Sequence, residues 1–538
     1  MRAAARLGVV AFFAVLTVAQ TWPLASDPAH RVRDNADVEL NAWIVSWIAH
    51  QLPRDPAHLF DANIFYPERR ALAYSEPLLP PGVIAIVPRA LGASAVLTFN
   101  LLLLTGFFLT GLAGYVVGAR LSGDRLAGML AGSLVAFGPH SLARLAHLQA
   151  HWLVTLPLSL LALDAVVRKR TWGPALALGV CVALLAATSG YGLALGVVAI
   201  AAAWLARADE WWGHVRRLAP RLAGGALLSV LLALPVLLPY WRVVEEQGAR
   251  PPADEAAAAA ALPATFASTP SRLHYDLWSH HFERPQGGSY FPGFVALALA
   301  GLALAVGWRE PRARMLVAVA VAGGLVALGP ATPVYAALRA VFPPMKGLRD
   351  PSRFGALVIL GVAVLAALGL AAVRRRLSGR ARLLVPLLLI GAAQAEVVCA
   401  PFEYAPWAGF SPVYARLAEE PRRVALAEFP FYAGGPDYQN ASYVLASTEH
   451  WTPLVNGYSG LATRAYEQRA EALKHFPDSV AVEELRRLGV SHVIVHPARF
   501  RESRRARVLD FLGKWGDVEE IATGPSGERL YRLGSPSR

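Results

Sequence analysis

The chain has 538 residues, of which 55% are hydrophobic and only 17% are charged, and its mean hydropathy is +0.40. Soluble domains carry about 25% charged residues, so this composition excludes an ordinary soluble enzyme, and the apolar content excludes a disordered chain. The net charge of +13 comes from short basic clusters between apolar runs, which indicates a membrane protein and not a nucleic-acid-binding one. Both cysteines, Cys181 and Cys399, lie in apolar runs, so neither a disulfide framework nor a thiolate metal site is available.

Eleven apolar runs approach the roughly 20 residues that a helix needs to cross a bilayer. They are residues 7–25, 94–118, 126–140, 152–167, 173–189, 191–206, 222–241, 289–308, 315–331, 354–373 and 383–400. The first run is long and further runs follow it, which indicates an uncleaved first span and not a signal peptide. Residues 82–91 are shorter and contain Pro88, so we expect an interfacial or re-entrant segment there. The predicted fold class is therefore mainly α, a polytopic helical membrane protein.

Lys and Arg are about four times denser in one set of connecting segments than in the other. Because positively charged loops stay in the cytoplasm, the dense set, which includes 168–170 and 374–376, is predicted to be cytoplasmic together with the N-terminus. Eleven spans then place the C-terminal segment outside the cytoplasm.

The chain from residue 402 onward is polar and contains no spanning run. Strand patterns occur at 423–429, 491–495, 517–523 and 528–533, and helical patterns at 465–488 and 503–513. We therefore predict two domains. A multi-span domain covers 1–401 and includes a large first outer loop at 26–80, and a small soluble α/β domain covers 402–538.

Acidic residues gather at the start of the first outer loop. Asp37 and Glu39 precede a stretch with Trp43 and Trp47, which are four residues apart and therefore lie on one helical face. We expect these two rings to seat the helix at the membrane interface. A carboxylate held there has the chemistry of a general base or a ligand of a divalent cation. The alternative is that Asp34 or Asp37 only caps the helix.

Two further acids, Asp61 and Glu76, lie later in the same loop, where Arg69 and Arg70 have the charge to meet a phosphate. A role in substrate binding and a solvated loop surface are both open for them.

Residues 137–152 bring His140, Arg144, His147 and His151 to spacings typical of one helical face. Arg144 suits a phosphate, and His147 with His151 suits a metal. The alternative is an interfacial helix that turns these side chains to water. Tyr191 lies in the sequence Ser-Gly-Tyr-Gly, which predicts a tight turn where the ring can contact a ligand.

Three cations, Lys346, Arg349 and Arg353, precede the predicted span 354–373. They suit a phosphate or diphosphate group at the outer surface, and anchoring at the interface is the alternative. The spans themselves are almost free of charge, with Asp164 near an inner end and Glu396 near an outer end. This pattern disfavours a transport pathway through the membrane.

Seven segments together resemble the GT-C superfamily of membrane glycosyltransferases, such as the protein O-mannosyltransferases, the lipid A aminoarabinose transferase and the Rgt-type lipopolysaccharide-core transferases, and more closely a set of its bacterial members. The segments are DVELNAW (37–43), LFDANIFYP (59–67), AYSEPLL (73–79), HLQAHW (147–152), TSGYGL (188–193), LRDPSRF (348–354) and NGYSG (456–460). The resemblance covers most of the chain.

The resemblance implies transfer of a sugar from a polyprenyl-phosphate donor to a glycan, lipid or protein acceptor on the outer face of the bacterial inner membrane. In the superfamily a carboxylate of the first outer loop deprotonates the acceptor. Asp37 matches that position, and Glu39 is the second catalytic candidate. The candidates for substrate binding are Asp61, Glu76, Arg144, His147, His151, Tyr191, Lys346, Arg349 and Arg353.

One departure from the superfamily concerns the paired acids. Many members carry adjacent acids in this loop, whereas Val38 separates Asp37 from Glu39 here, so on a helix the two side chains diverge. Many members also use a divalent cation, which stays open as a cofactor. Two alternative functions stay open as well: a non-catalytic protein that binds lipid-linked sugar, and a transporter or assembly factor for polysaccharide.

Overall fold

The protein is described from a computed structural model, which covers residues 2–248, 259–261, 263–282, 288–421, 423–516 and 518–534, with side chains from residue 6 onward. Within these ranges the chain is mainly helical. The helices of eight residues or more are Arg2–Gln20, Ala36–Gln51, Leu79–Ala90, Ala95–Ser122, Arg125–Phe137, Thr155–Lys169, Trp172–Thr188, Gly190–Leu205, Val215–Gln247, Phe294–Gly307, Pro311–Ala327, Pro333–Val341, Gly355–Arg376, Ala381–Val397, Pro412–Glu419, Arg464–Leu473, Ser479–Arg487 and Glu502–Lys514.

Each of the eleven apolar runs falls on one of these helices, which confirms the mainly α prediction. Four helical stretches are long and apolar enough to cross a membrane: Ala95–Ser122, Leu148–Lys169, Ala208–Gln247 and Pro351–Arg376. The total of eleven spans stays a prediction. The segment expected to be interfacial or re-entrant lies in a helix of 12 residues, Leu79–Ala90.

The described residues group into two compact units. Residues within 1–27, 101–238 and 249–403 form the first unit, and residues within 28–100, 239–248 and 404–538 form the second. The second unit thus combines the predicted first outer loop with the C-terminal segment, whereas the sequence-based division placed that loop with the multi-span domain.

In the first unit, helix Gly355–Arg376 packs against helices Phe294–Gly307 and Pro311–Ala327. A side chain built at Gly369 would collide with the backbone carbonyl of Leu299. The glycine therefore permits the close backbone approach that is typical of packed membrane helices.

The two acids of the apolar runs are held by partners inside the first unit. Asp164 accepts hydrogen bonds from Arg207 Nη1 at 2.7 Å and from Arg312 Nη2 at 3.1 Å. Glu396 accepts hydrogen bonds from the backbone N–H groups of Phe294 at 3.1 Å and Val295 at 2.9 Å, at the start of a helix whose first amides lack intrahelical partners. Both acids have a structural role.

Replacing Asp164 by Ala is expected to destabilise the protein by about 3–5 kcal/mol, because it leaves the buried Arg207 without one of its counterions. Asp209 pairs with Arg314 at 2.7 Å on the surface. Asp209→Ala is the matched control and should leave the thermal unfolding midpoint nearly unchanged, since exposed pairs contribute little. Equal shifts of the unfolding midpoint in the two variants would show that the buried Asp164 pairs stabilise the protein no more than the exposed Asp209 pair does.

The second unit contains all six strands of the described chain. β1 (Arg31–Val32) pairs with β2 (Ala405–Pro406), and the remaining four form a mixed sheet in the order β3-β4-β6-β5. They are β3 (Leu426–Phe429), β4 (His492–Val495), β5 (Val518–Thr523) and β6 (Arg529–Leu533). β3 and β4 are parallel, and β6 is antiparallel to both β4 and β5.

This sheet confirms the four strands predicted for the C-terminal segment and its α/β character. The predicted helical region 465–488 is divided into two helices, Arg464–Leu473 and Ser479–Arg487. Pro477 lies between them and cannot continue the first helix, and Asp478 caps the second by accepting from the Ala481 N–H at 2.8 Å.

Candidate functional site

Asp37 lies in the first turn of helix Ala36–Gln51, which we call the Asp37 helix. The residue that caps this helix is Asn35, whose side-chain oxygen accepts a hydrogen bond from the Asp37 N–H at 2.8 Å. The alternative that Asp34 or Asp37 is the cap is therefore wrong. The half-buried Asp37 carboxylate instead accepts a hydrogen bond from the Tyr458 hydroxyl at 3.1 Å. The position suits an anion, because a helix N-terminus carries partial positive charge.

The prediction that Trp43 and Trp47 seat this helix at a membrane interface is wrong. Both side chains are buried inside the second unit, and their rings stack at 6.3 Å. The Trp43 indole N–H donates to Asn63 Oδ1 at 3.2 Å, and that of Trp47 donates to the Leu59 carbonyl at 2.8 Å. Protein groups thus satisfy both polar ends, and the packing of these rings fixes the helix that carries Asp37.

Glu39 also belongs to the Asp37 helix but has different surroundings. It lines a cavity within the second unit. Burial raises the pKa of Glu39 to about 7, in spite of the opposing charge of Arg499 and with some help from Asp34. The carboxyl group is therefore partly protonated at neutral pH.

The separate surroundings of Asp37 and Glu39 agree with the divergence predicted from their spacing. Within the described ranges, no group of three or more His, Cys, Asp or Glu side chains is arranged to hold a metal ion.

Asp61 and Glu76 occupy separate places in the second unit. Asp61 is exposed, and its Oδ1 accepts a hydrogen bond from the Arg70 N–H at 2.9 Å. Glu76 is half-buried and follows Ser75, whose carbonyl accepts from the Tyr240 hydroxyl at 2.7 Å. Their roles in substrate binding stay predictions.

In the first unit, Arg144, Tyr191 and Arg353 come together around Asp350, a group that we call the Asp350 cluster. Asp350 Oδ2 lies 3.2 Å from Arg144 Nη2 and 3.0 Å from Arg353 Nε. The Asp350 N–H donates to the Tyr191 hydroxyl at 2.8 Å, and the Arg353 guanidinium lies 4.1 Å from the centre of the Tyr191 ring. Ser352 Oγ donates a further hydrogen bond to Asp350.

The Asp350 cluster combines two guanidinium groups with one carboxylate. Burial works to raise the pKa of Asp350, but the Arg144 and Arg353 guanidinium groups outweigh it and hold that pKa below its usual range. Arg144 is buried, and its Nε has no hydrogen-bond partner among the described residues. The Arg144 guanidinium therefore suits an anion.

Lys346 and Arg349 lie on the same segment but outside this cluster, and both are exposed. Both residues precede Asp350 in the chain. Lys346 belongs to a short helical turn, Pro343–Gly347, and Arg349 follows that turn. Their predicted contact with a phosphate stays a prediction.

The expectation of one helical face over His140, Arg144, His147 and His151 is wrong. Two one-turn helices, Pro139–Leu142 and Leu148–His151, are separated by turns. The connecting amides bond three residues back, as from the His147 N–H to the Arg144 carbonyl at 2.9 Å, and this tighter winding destroys the spacing of four. His151 Nε2 lies 3.0 Å from the Arg144 carbonyl, so His151 holds the backbone of Arg144.

Sequence reasoning missed two residues that the structure places at the candidate sites, Asp350 and Tyr458. Asp350 precedes Arg353 by three residues, a spacing that allows an ion pair within one turn. Tyr458 lies in the segment NGYSG (456–460), but no local pattern links it to Asp37, from which 421 residues separate it.

No protein-family model matches the sequence, and no curated protein matches it. Among solved structures, the chain is similar to the arabinofuranosyltransferase AftD from Mycobacteria, at 16% identity and a TM-score of 0.60, over 98% of this chain and 41% of AftD. A second conformational class of AftD gives 15% identity and a TM-score of 0.53, over 99% of this chain and 42% of AftD. The chain thus spans about two fifths of the length of AftD.

A weaker likeness extends to ArnT from Cupriavidus metallidurans, at 14% identity and a TM-score of 0.43, over 99% of both chains. At such low identity a likeness establishes the fold, and the two AftD structures carry that conclusion. The predicted resemblance is confirmed in that the structural neighbours are GT-C glycosyltransferases, and the chain shares the fold of AftD.

Proposed function

We propose that the chain is a membrane glycosyltransferase that uses a polyprenyl-phosphate sugar as donor. An acceptor hydroxyl attacks the anomeric carbon, the bond from that carbon to the phosphate oxygen breaks, and polyprenyl phosphate leaves with the bonding electrons. Asp37 takes the proton of the attacking hydroxyl. Attack opposite to the leaving phosphate inverts the anomeric configuration. The acceptor is a glycan, a lipid or a protein of the cell envelope.

The position of Asp37 is the observation that carries this proposal. Asp37 lies in the first turn of a helix that Asn35 caps. The Tyr458 hydroxyl donates to the Asp37 carboxylate at 3.1 Å and helps to orient it. A carboxylate held in a fixed orientation is the kind of group that acts as a general base.

The Asp350 cluster supplies the second part of the proposal, a place for the donor phosphate. A polyprenyl-phosphate sugar is a phosphodiester with one negative charge, and Arg144 and Arg353 are the guanidinium groups that we assign to it. Arg349 is assigned to the same phosphate, and Lys346 has a secondary role. Guanidinium groups form two parallel hydrogen bonds to phosphate oxygens.

The location that we propose is the bacterial inner membrane, with the N-terminus in the cytoplasm and the C-terminal segment outside it. A phosphatase reporter fused after residue 538 is therefore expected to be active, and a reporter that fluoresces only in the cytoplasm is expected to be dark. The motive is the difference in Lys and Arg density between the two sets of loops. The opposite pair of signals would overturn this orientation.

The test of the function is a transfer assay on membranes that contain the full chain, with radiolabelled polyprenyl-phosphate sugars as donors. Label is expected to move from the lipid to an acceptor fraction and to require Asp37. Membranes from cells without the protein are the control for background transfer. No transfer from any donor of the panel would contradict the proposal.

A second function, non-catalytic binding of lipid-linked sugar, is favoured by one observation. Asp37 and Glu39 have separate surroundings, so the paired acids of many superfamily members are not reproduced. This function predicts that the donor binds but that no sugar is transferred. The same membrane assay separates the two functions when bound label and transferred label are counted separately.

A further inference from the structure

The second unit contains a cavity of about 370 Å³, which we call the Glu39 cavity; Glu39 lines it and Asp37 is not among its lining residues. Its wall includes Glu39, Trp407, Phe410, Tyr414, Arg499 and Glu528. Its volume falls in the range of small-molecule sites, and such sites combine apolar rings with a few placed polar groups. All of its lining residues belong to the second unit.

One wall of the Glu39 cavity is aromatic. The ring centres of Trp407 and Phe410 lie 4.9 Å apart at 84°, and those of Phe410 and Tyr414 lie 6.2 Å apart at 76°. These edge-to-face pairs fix the ring planes. They offer a rigid apolar surface to a partner of about the size of one ring.

The polar wall contains a buried carboxylate with an unused oxygen. Glu528 is only 5% exposed, and its Oε2 has no hydrogen-bond partner among the described residues. A buried acceptor without a donor costs free energy. A ligand that brings hydroxyl donors into the cavity would remove this cost, and Glu39 adds a second carboxyl group to the same wall.

The cavity wall is held in place from behind by a buried network. Glu428 is fully buried, and its Oε2 accepts from the Tyr414 hydroxyl at 2.8 Å and lies 2.7 Å from His496 Nε2. A side chain built at Gly524 would collide with Glu528 Oε1, so glycine at this turn allows the carboxylate its position. The arrangement is therefore a preformed wall.

The charge of the wall decides between ligand classes. Arg499 and Glu39 line the same cavity, and the Arg499 guanidinium donates to Ser442 Oγ at 2.8 Å. Arg499 already offsets part of the negative charge of Glu39 and Glu528 in this wall. A neutral ligand with hydroxyl donors therefore suits these carboxyl groups better than a cation. Hydroxyl groups on an apolar ring skeleton are such donors.

We propose that the Glu39 cavity binds one glycosyl ring, with the carbon face of the sugar against Trp407 and its hydroxyl groups donating to Glu528 and Glu39. This binding site goes beyond the proposed transfer reaction. Binding of a sugar in the Glu39 cavity includes no transfer step. A test of this binding is therefore independent of whether Asp37 acts as a base.

Saturation-transfer NMR with the full chain in phosphatidylcholine nanodiscs tests this site, with a panel of methyl pyranosides and methyl pentofuranosides as probes. Maltoside detergents are avoided because they carry sugar themselves. At least one methyl glycoside is expected to bind. Trp407→Ala and Glu528→Gln are each expected to weaken that binding by about ten- to hundredfold, the range for losing a hydrogen bond to a charged group or a buried ring contact.

Two exposed residues of the second unit outside the wall give matched controls: Trp241→Ala and Glu419→Gln should bind as the wild type does. If Trp407→Ala or Glu528→Gln unfolds, Arg499→Gln replaces it, because Arg499 lines the same cavity and is exposed; it is expected to weaken glycoside binding. The proposal is overturned if no glycoside of the panel binds, or if the folded cavity variants bind as tightly as the controls.

Discussion

A chain with Asp37→Asn is expected to fold normally and to transfer sugar about 10²–10⁴-fold more slowly, the range that a general base contributes. Asn keeps the size of the side chain, and its amide oxygen still accepts from the Tyr458 hydroxyl, which lies 3.1 Å from the Asp37 carboxylate. The amide has no basicity at neutral pH. The helix is unaffected because Asn35 supplies the cap. The initial rate of transfer of radiolabelled sugar measures the loss.

Two variants separate chemistry from stability in this experiment. Asn35→Ala removes the helix cap, which costs about 0.5–2 kcal/mol of stability, and it leaves the Asp37 carboxylate intact. Its rate at a temperature where it stays folded should be close to that of the wild type. Tyr458→Phe removes the hydroxyl that donates to Asp37 and keeps the carboxylate, so a smaller loss than in Asp37→Asn is expected.

The other carboxylates decide whether the base is assigned correctly. Glu39→Gln is expected to cost less than Asp37→Asn, because Glu39 lines a cavity and Asp37 is the acid that Tyr458 orients. Full activity in Asp37→Asn together with loss in Glu39→Gln or Asp61→Asn would assign the base to another residue. Unchanged donor binding without transfer in the wild type would favour the non-catalytic function.

Most long helices and the four strands of the C-terminal sheet were predictable from the sequence, because each of them follows a local pattern. Apolar runs gave the helices, and alternating or short apolar segments gave β3 to β6. The division at Pro477 was missed, since helical spacing on either side of the proline continues in register. The division of the chain into the two units could not follow from local patterns, because it depends on contacts distant in sequence.

The candidate site was predictable where the residues are close in the chain. Local charge patterns were enough to select Asp37 and Arg353 as candidates. Their partners Tyr458 and Asp350 were not selected in this way. Asp350 escaped because an acid among cations resembles a solvated loop, and its burial is visible only in the fold. Trp43 and Trp47 misled for a related reason: aromatic residues suit a membrane interface and a protein core alike, and here the core contains them.

Replacing Arg353 by Gln is expected to weaken binding of the polyprenyl-phosphate sugar by about tenfold or more, because a charge-assisted hydrogen bond contributes about 1.5–3 kcal/mol. Folding should be largely retained, since Asp350 keeps Arg144 at 3.2 Å as a counterion. Arg349→Gln should also weaken binding, and Lys346→Gln should do so less. Equilibrium binding of the radiolabelled donor to purified protein measures each loss, and the thermal unfolding midpoint reports on folding.

Arg353→Lys distinguishes the geometry of the guanidinium from its charge. Lysine keeps the positive charge but provides neither two parallel hydrogen bonds nor a planar group to stack on Tyr191, from whose ring centre the Arg353 guanidinium lies 4.1 Å. Binding between that of the wild type and that of Arg353→Gln is therefore expected. If Arg353→Gln and Arg349→Gln both bind donor as the wild type does, these residues only anchor the chain at the interface.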